Sequence, residues 1–130
     1  MTFFKKFALS IGLACTALTS ATIIASAATN SGTSGSSYYS LGNSWTYIDQ
    51  TGNPFASSAK ISCNTRPQSG TGGIRVGICD STGNAYTSKT FPYYTSTTDL
   101  SFTMAAGQTA YFYGESVTGT VSGTLYYYWS

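Results

Sequence analysis

The chain contains no histidine, and only 8% of its 130 residues are charged. Without histidine there can be no Ser-His-Asp or Cys-His nucleophile, no histidine-ligated zinc and no imidazole base near neutral pH. No stretch of the mature part repeats apolar residues at the helical period, so no amphipathic helix is expected there. No glycine-rich loop stands between a strand and a helix, which excludes the common phosphate cradles. Acids are scarce: Asp49, Asp80, Asp99 and Glu115 are the only ones. A glycoside hydrolase needs two carboxyls facing each other across a cleft. These four fall in separate turns and strand ends and read as turn and surface residues. The chain is therefore expected to be no enzyme and to use no cofactor and no metal.

The first residues do carry a pattern. Lys5 and Lys6 precede an uncharged run from Phe7 to Ile24, and Ala25-Ser26-Ala27 follows with the small-x-small form of a bacterial-type signal peptidase site. Residues 1–27 are read as a signal peptide cut after Ala27, and the product as a secreted, extracellular protein. An uncleaved anchor over Phe7–Ala28 is disfavoured by the Ser and Thr residues inside the run. A lipoprotein signal at Cys15 is disfavoured by Gly12, which stands where a large aliphatic residue belongs.

Cleavage removes two cations from a chain of net charge +2. Lys60, Arg66, Arg75 and Lys89 then balance the four acids, leaving no basic stripe for phosphates, so nucleic acid is not an expected partner. Cys63 and Cys79 remain in an oxidising compartment and are expected to form one disulfide, with a contribution of roughly 3 kcal/mol. Yet a flat hairpin joining them would put Ile61 and Cys63 on the face of Arg75 and Gly77. The two strands must therefore be offset by a bulge or lie in different sheets.

Thr29 to Ser37 is Ser, Gly, Thr and Asn with nothing to bury, so residues 28–37 read as a flexible leader. From Tyr38 to Ser130, short runs of β-branched and aromatic residues alternate with Gly, Asn and Asp clusters about every ten residues, as in a small antiparallel β-sandwich or, alternatively, a small β-barrel. Strands are expected over Tyr38–Leu41, Ser44–Asp49, Ala59–Thr65, Ile74–Asp80, Ala85–Phe91, Leu100–Met104, Thr109–Gly114 and Val121–Trp129. Asp49 and Asp80 each open an Asp-x-Thr-Gly-Asn sequence. This is read as turn chemistry rather than as a calcium loop, because a calcium loop brings more than one carboxylate.

What the chain has in excess is aromatic surface: eleven tyrosines and two tryptophans. Tyrosine offers a rigid stacking face and a hydroxyl, and it concentrates at recognition surfaces. If Thr118-Gly119 is a two-residue hairpin turn, Phe112 faces Leu125 and Ala110 faces Tyr127 on the core side. Tyr111 then faces Tyr126, with Tyr113 opposite Thr124 and Tyr128 opposite Thr109. That register gathers Tyr111, Tyr113, Tyr126 and Tyr128 into one outward patch, with Tyr93 and Tyr94 in a nearby loop. The patch points to a binding module for an extracellular glycan or cell-wall polymer. The uncharged stretch from Ser116 to Ser130 supports a second expectation, self-association through an open strand edge in a matrix or surface protein, with membrane action as a variant.

Overall fold

The computed structural model describes residues 33–70 and 72–130. The signal peptide with its cleavage site, and Cys15, lie outside the described residues. The order of elements is β1 (Ser34–Leu41), β2 (Thr46–Gly52), β3 (Ala59–Thr65), β4 (Ile74–Cys79), β5 (Ala85–Phe91), β6 (Leu100–Met104), β7 (Thr109–Ser116) and β8 (Val121–Trp129). They form two four-stranded antiparallel sheets, β1-β8-β3-β6 and β2-β7-β4-β5, packed as a sandwich.

Alternation along each strand decides what lies between the sheets. From β8 come Val121, Leu125, Tyr127 and Trp129, all buried, while Tyr126 and Tyr128 stand outside. From β7 come Ala110 and Phe112, and from β4 Ile74, Val76 and Ile78. The Phe112 and Tyr127 rings meet across the gap at 4.9 Å between centroids. At one flank Tyr86 of β5 stacks on Phe102 of β6 at 4.9 Å and 4°, closing the space between the two edge strands.

β3, β5, β6 and β8 have the expected bounds. β1 begins at Ser34, so Ser34–Ser37 belong to a strand rather than to a leader. Their backbone pairs with Leu125–Tyr128, and a strand that needs only its backbone to pair carries no hydrophobic signal.

The expected β7-β8 hairpin does not form. β7 pairs with β2 and β4, whereas β8 pairs with β1 and β3. The connection between them makes different contacts at its two ends. Val117 N donates to Gly73 O at one end, and Ser122 bridges Ser69 at the other. The chain thus passes from one sheet to the other, and Ser116 Oγ donates to Gly119 O inside the turn. Phe112, Leu125, Ala110 and Tyr127 are all core residues, as expected, but they meet face to face rather than side by side.

The expected disulfide is also absent, for a geometric reason: both thiols are free and buried. β3 and β4 do lie in different sheets. Cys63 points into the core with Ile61. Cys79 pairs with Tyr111 on the outward side of its own sheet, next to Gly77 and beneath Trp45. Side chains on an inner and an outer face cannot meet. Desolvation pushes the Cys63 thiol up to about 12 and the Cys79 thiol up to about 11.

Asp49 departs from its expected role as well. A register shift between Tyr47 and Asp49 in the β2-β7 pairing turns Asp49 to the inner side, opposite Phe112. There its Oδ2 accepts a bond from the Tyr127 hydroxyl at 2.8 Å, and its Oδ1 accepts one from Gln50 N at 2.8 Å. Two residues further on, Thr51 Oγ1 accepts a bond from Trp129 Nε1 at 3.0 Å. Burial holds the Asp49 carboxyl above the usual carboxylate value, with both hydrogen bonds opposing the shift. Asp80, by contrast, is the turn residue its sequence suggested. Its Oδ1 accepts bonds from Thr82 N, Thr82 Oγ1 and Asn84 N, and Gly83 takes φ 87°.

Two outcomes are expected. In protein without residues 1–27, the native form should resist alkylation of both thiols, the unfolded form should alkylate at two sites without prior reduction, and a reductant should leave the melting temperature unchanged. A mass two hydrogens lighter, restored only by reductant, would show a bridge instead. The raised Asp49 carboxyl favours the folded state when protonated, so its contribution is fully present below the ordinary value of 3.8 and is lost as pH rises through the folded-state value. Asp49→Asn keeps an acceptor for Tyr127 without the charge. Its melting temperature relative to the native chain should therefore be most favourable near neutral pH and should fall as the solution is acidified. A difference independent of pH would refute the buried-charge assignment.

Candidate functional site

Separating β7 from β8 divides the expected tyrosine patch between two outer surfaces. Tyr111 and Tyr113 lie on the outer face of β2-β7-β4-β5, and Tyr126 and Tyr128 on the outer face of β1-β8-β3-β6. The two faces differ in how much of their aromatic surface is already used.

On the β7 side the rings pack on one another. Trp45 lies flat over Gly77, where a Cβ would come within 2.9 Å of the indole, and its Nε1 donates to Gly83 O at 2.8 Å. Tyr113 stacks on Trp45 at 6.2 Å, and Tyr47 meets Tyr113 edge-on at 5.8 Å. The Arg75 guanidinium sits 4.3 Å from the Trp45 ring and pairs with Glu115 at 2.9 Å. Tyr111, half-buried beside Cys79, completes the layer. Ring faces and charges are matched within the protein here, as in a small outer core.

On the β8 side the rings stand open. Tyr38 is 69% exposed, Tyr126 60% and Tyr128 43%. Tyr38 of β1 faces Thr124 of β8, two pairs along from Ser36 and Tyr126 and so on the same face by strand alternation, which makes Tyr38 and Tyr126 diagonal neighbours. Among the described residues neither ring stacks on another. Asn64 of β3 flanks Tyr126 on its other side. Its amide donates to Asp99 Oδ1 at 2.7 Å and to Thr97 O at 2.8 Å, and the Tyr128 hydroxyl donates to Asp99 Oδ2 at 2.8 Å. These bonds from Asn64 and Tyr128 hold the Asp99 carboxyl below its usual value.

At the end of this face, Arg66, Gln68, Thr124 and Tyr126 line an open cleft of about 250 Å³. Arg66 also sits 5.1 Å from the ring of Tyr94, whose own neighbour Tyr93 lies 5.9 Å away. Tyr94 has φ 55°, the one non-glycine residue with positive φ among those described, and its N–H donates to Pro67 O at 2.7 Å. Arg66 thus links the loop tyrosines to the cleft beside Tyr126. Of the six residues singled out from sequence, Tyr93, Tyr94, Tyr126 and Tyr128 belong to this side of the sandwich, and Tyr111 and Tyr113 do not. Tyr38, Arg66, Gln68 and Thr124 join them. For Tyr38 the signal in the sequence is alternation, since with Tyr39 pointing inward Tyr38 must point out, whereas Arg66 and Gln68 lie outside the strands and carry none.

The surface offers stacking faces, an amide, a hydroxyl and a guanidinium, the set that binds the C–H face and hydroxyls of a sugar. Among the described residues, no group of three or more His, Cys, Asp and Glu gathers to hold a metal ion. No family model matches the chain, and no curated protein matches it. Among solved structures it is similar to a chain described by the words "Bacillus endospore appendages form a novel family of disulfide-linked pili", with a TM-score of 0.47 and 13% identical residues, over 73% of this chain and 83% of that one.

Proposed function

We propose that the domain is an exported, non-catalytic binding module that takes an extracellular glycan on the outer face of the β1-β8-β3-β6 sheet. The observation that carries this reading is the pair Tyr38 and Tyr126, diagonal neighbours, both more than half exposed and without a stacking partner among the described residues. Rings left open on a rigid sheet lose little entropy when a ligand covers them. The opposite face supports the assignment by contrast, since its tyrosines already stack on Trp45 and on each other.

A second reading, self-association, keeps one specific observation. The uncharged stretch after Glu115 is not an open edge, because β8 is paired on both sides. Among the described residues, the edges of its sheet are β6 and, beside β8, β1. The latter runs eight residues in unbroken register and carries neither charge nor proline, the form that invites a further strand.

Retention on a panel of cell-wall and plant polysaccharides, with sizing at rising concentration, tests both. Tyr38→Ala and Tyr126→Ala should each weaken retention about tenfold while the melting temperature holds, the loss of one good stacking contact. Tyr47→Ala, on the other face, should leave it unchanged. A folded chain that binds nothing on the panel and forms oligomers with concentration would replace the first reading with the second.

A further inference from the structure

Resting on that reading, we infer that the glycan is acidic and that Arg66 receives its carboxylate. The cations of the domain differ in what they already hold. Arg75 is paired with Glu115 and covers Trp45. Lys89 Nζ donates to both oxygens of Thr98 at 2.6 Å and lies 5.6 Å from the Phe91 ring. Lys60 lies within electrostatic reach of Asp99. Arg66, among the described residues, has no carboxylate at ion-pair distance and donates no hydrogen bond; its one partner is the face of Tyr94. An exposed cation–ring contact of this kind is worth only about 0.5–1 kcal/mol and leaves the guanidinium edge free to donate.

That edge belongs to the wall of the cleft. With Gln68, Thr124 and Tyr126 it encloses about 250 Å³, below the roughly 300–1,000 Å³ of enclosed small-molecule pockets and suited to one unit of a polymer lying across an open face. A pyranose ring on Tyr126 would place a ring carboxylate within reach of the fork of donors that matches it in shape and charge. The Gln68 amide and the Thr124 hydroxyl are left for sugar hydroxyls. The backbone of Tyr94 supports the same placement. A left-handed φ costs a non-glycine residue roughly 1 kcal/mol or more, and here it aims an aromatic ring at the guanidinium. Once Lys5 and Lys6 are gone the domain has no net charge, so any preference for an anion must come from this one site and not from a general field.

The exported protein, without residues 1–27, is titrated with polygalacturonate and with its methyl ester, which share one backbone and differ only in the carboxylates. The acid form should bind about tenfold more tightly, and about 0.5 M salt should remove that advantage while leaving binding of the ester in place. Arg66→Gln should erase the preference, bringing the affinities for acid and ester together while the melting temperature holds. Tyr94→Gly, which relieves the backbone while removing the ring, should reduce the preference by a separate route. Tyr126→Ala should weaken both polymers. Equal binding of acid and ester by the native chain, or an undiminished preference in Arg66→Gln, would overturn the carboxylate site and leave the platform standing. Tighter binding of dextran sulfate than of polygalacturonate would overturn the carboxylate in favour of sulfate. If neither polymer is bound and neutral polysaccharides on the panel are not bound either, it is the platform that has failed.

Discussion

Two hydrogen bonds cross the sandwich from the end of β8 to β2, Tyr127 to Asp49 and Trp129 to Thr51, and much of the remaining geometry depends on them. Side chains on a strand alternate between faces, so β8 has two ways to lie and a slip of one residue exchanges them. Both alternatives bury aromatics, since Tyr126 and Tyr128 are as large as Tyr127. What separates them is the polar ends of the rings. With Tyr127 and Trp129 inside, the hydroxyl and the indole N–H find acceptors on β2, and the bulge beside Asp49 supplies one of these. An inside Tyr126 or Tyr128 would give up the open face and the Asp99 bond together. A half-buried acid, costly without its partners, thus helps to determine which tyrosines face the solvent.

The outward surfaces show how similar residues serve different ends. Trp45 lies over Gly77 and Tyr113 over Gly83, and with Tyr47 they pack as a small core of their own. Among the described residues, Tyr38 and Tyr126 have no such partner. Composition alone cannot tell these apart, because the distinction lies in which strands are neighbours.

The same limit explains what could be read from the sequence. Alternation and turn residues are local, and they located β3, β5, β6 and β8 to the residue, the turn role of Asp80 and the inward facing of Phe112, Leu125 and Tyr127. Pairing is not local. Four residues between Ser116 and Val121 can close a hairpin or carry the chain to the other sheet. The outcome was decided by Gly73 and Ser69, far away in sequence, which hold the two ends apart. Cys63 and Cys79 were matched by count and compartment, but whether two thiols meet depends on faces, and the strands placed one inside and one outside. Asp49 was hidden by a bulge, which no periodicity reveals.

β1 pairs with β8 in antiparallel register, Ser34 beside Tyr128 and Leu41 beside Val121, so the described part of the chain enters and leaves the domain at neighbouring points. A mechanical load drawn between those two points would not shear the sheet along its length. It would peel β1 from β8 one hydrogen bond at a time, the weakest direction in which an antiparallel pair can be pulled. Loaded between those two points, the β1-β8 pair is therefore a poor transmitter of tension.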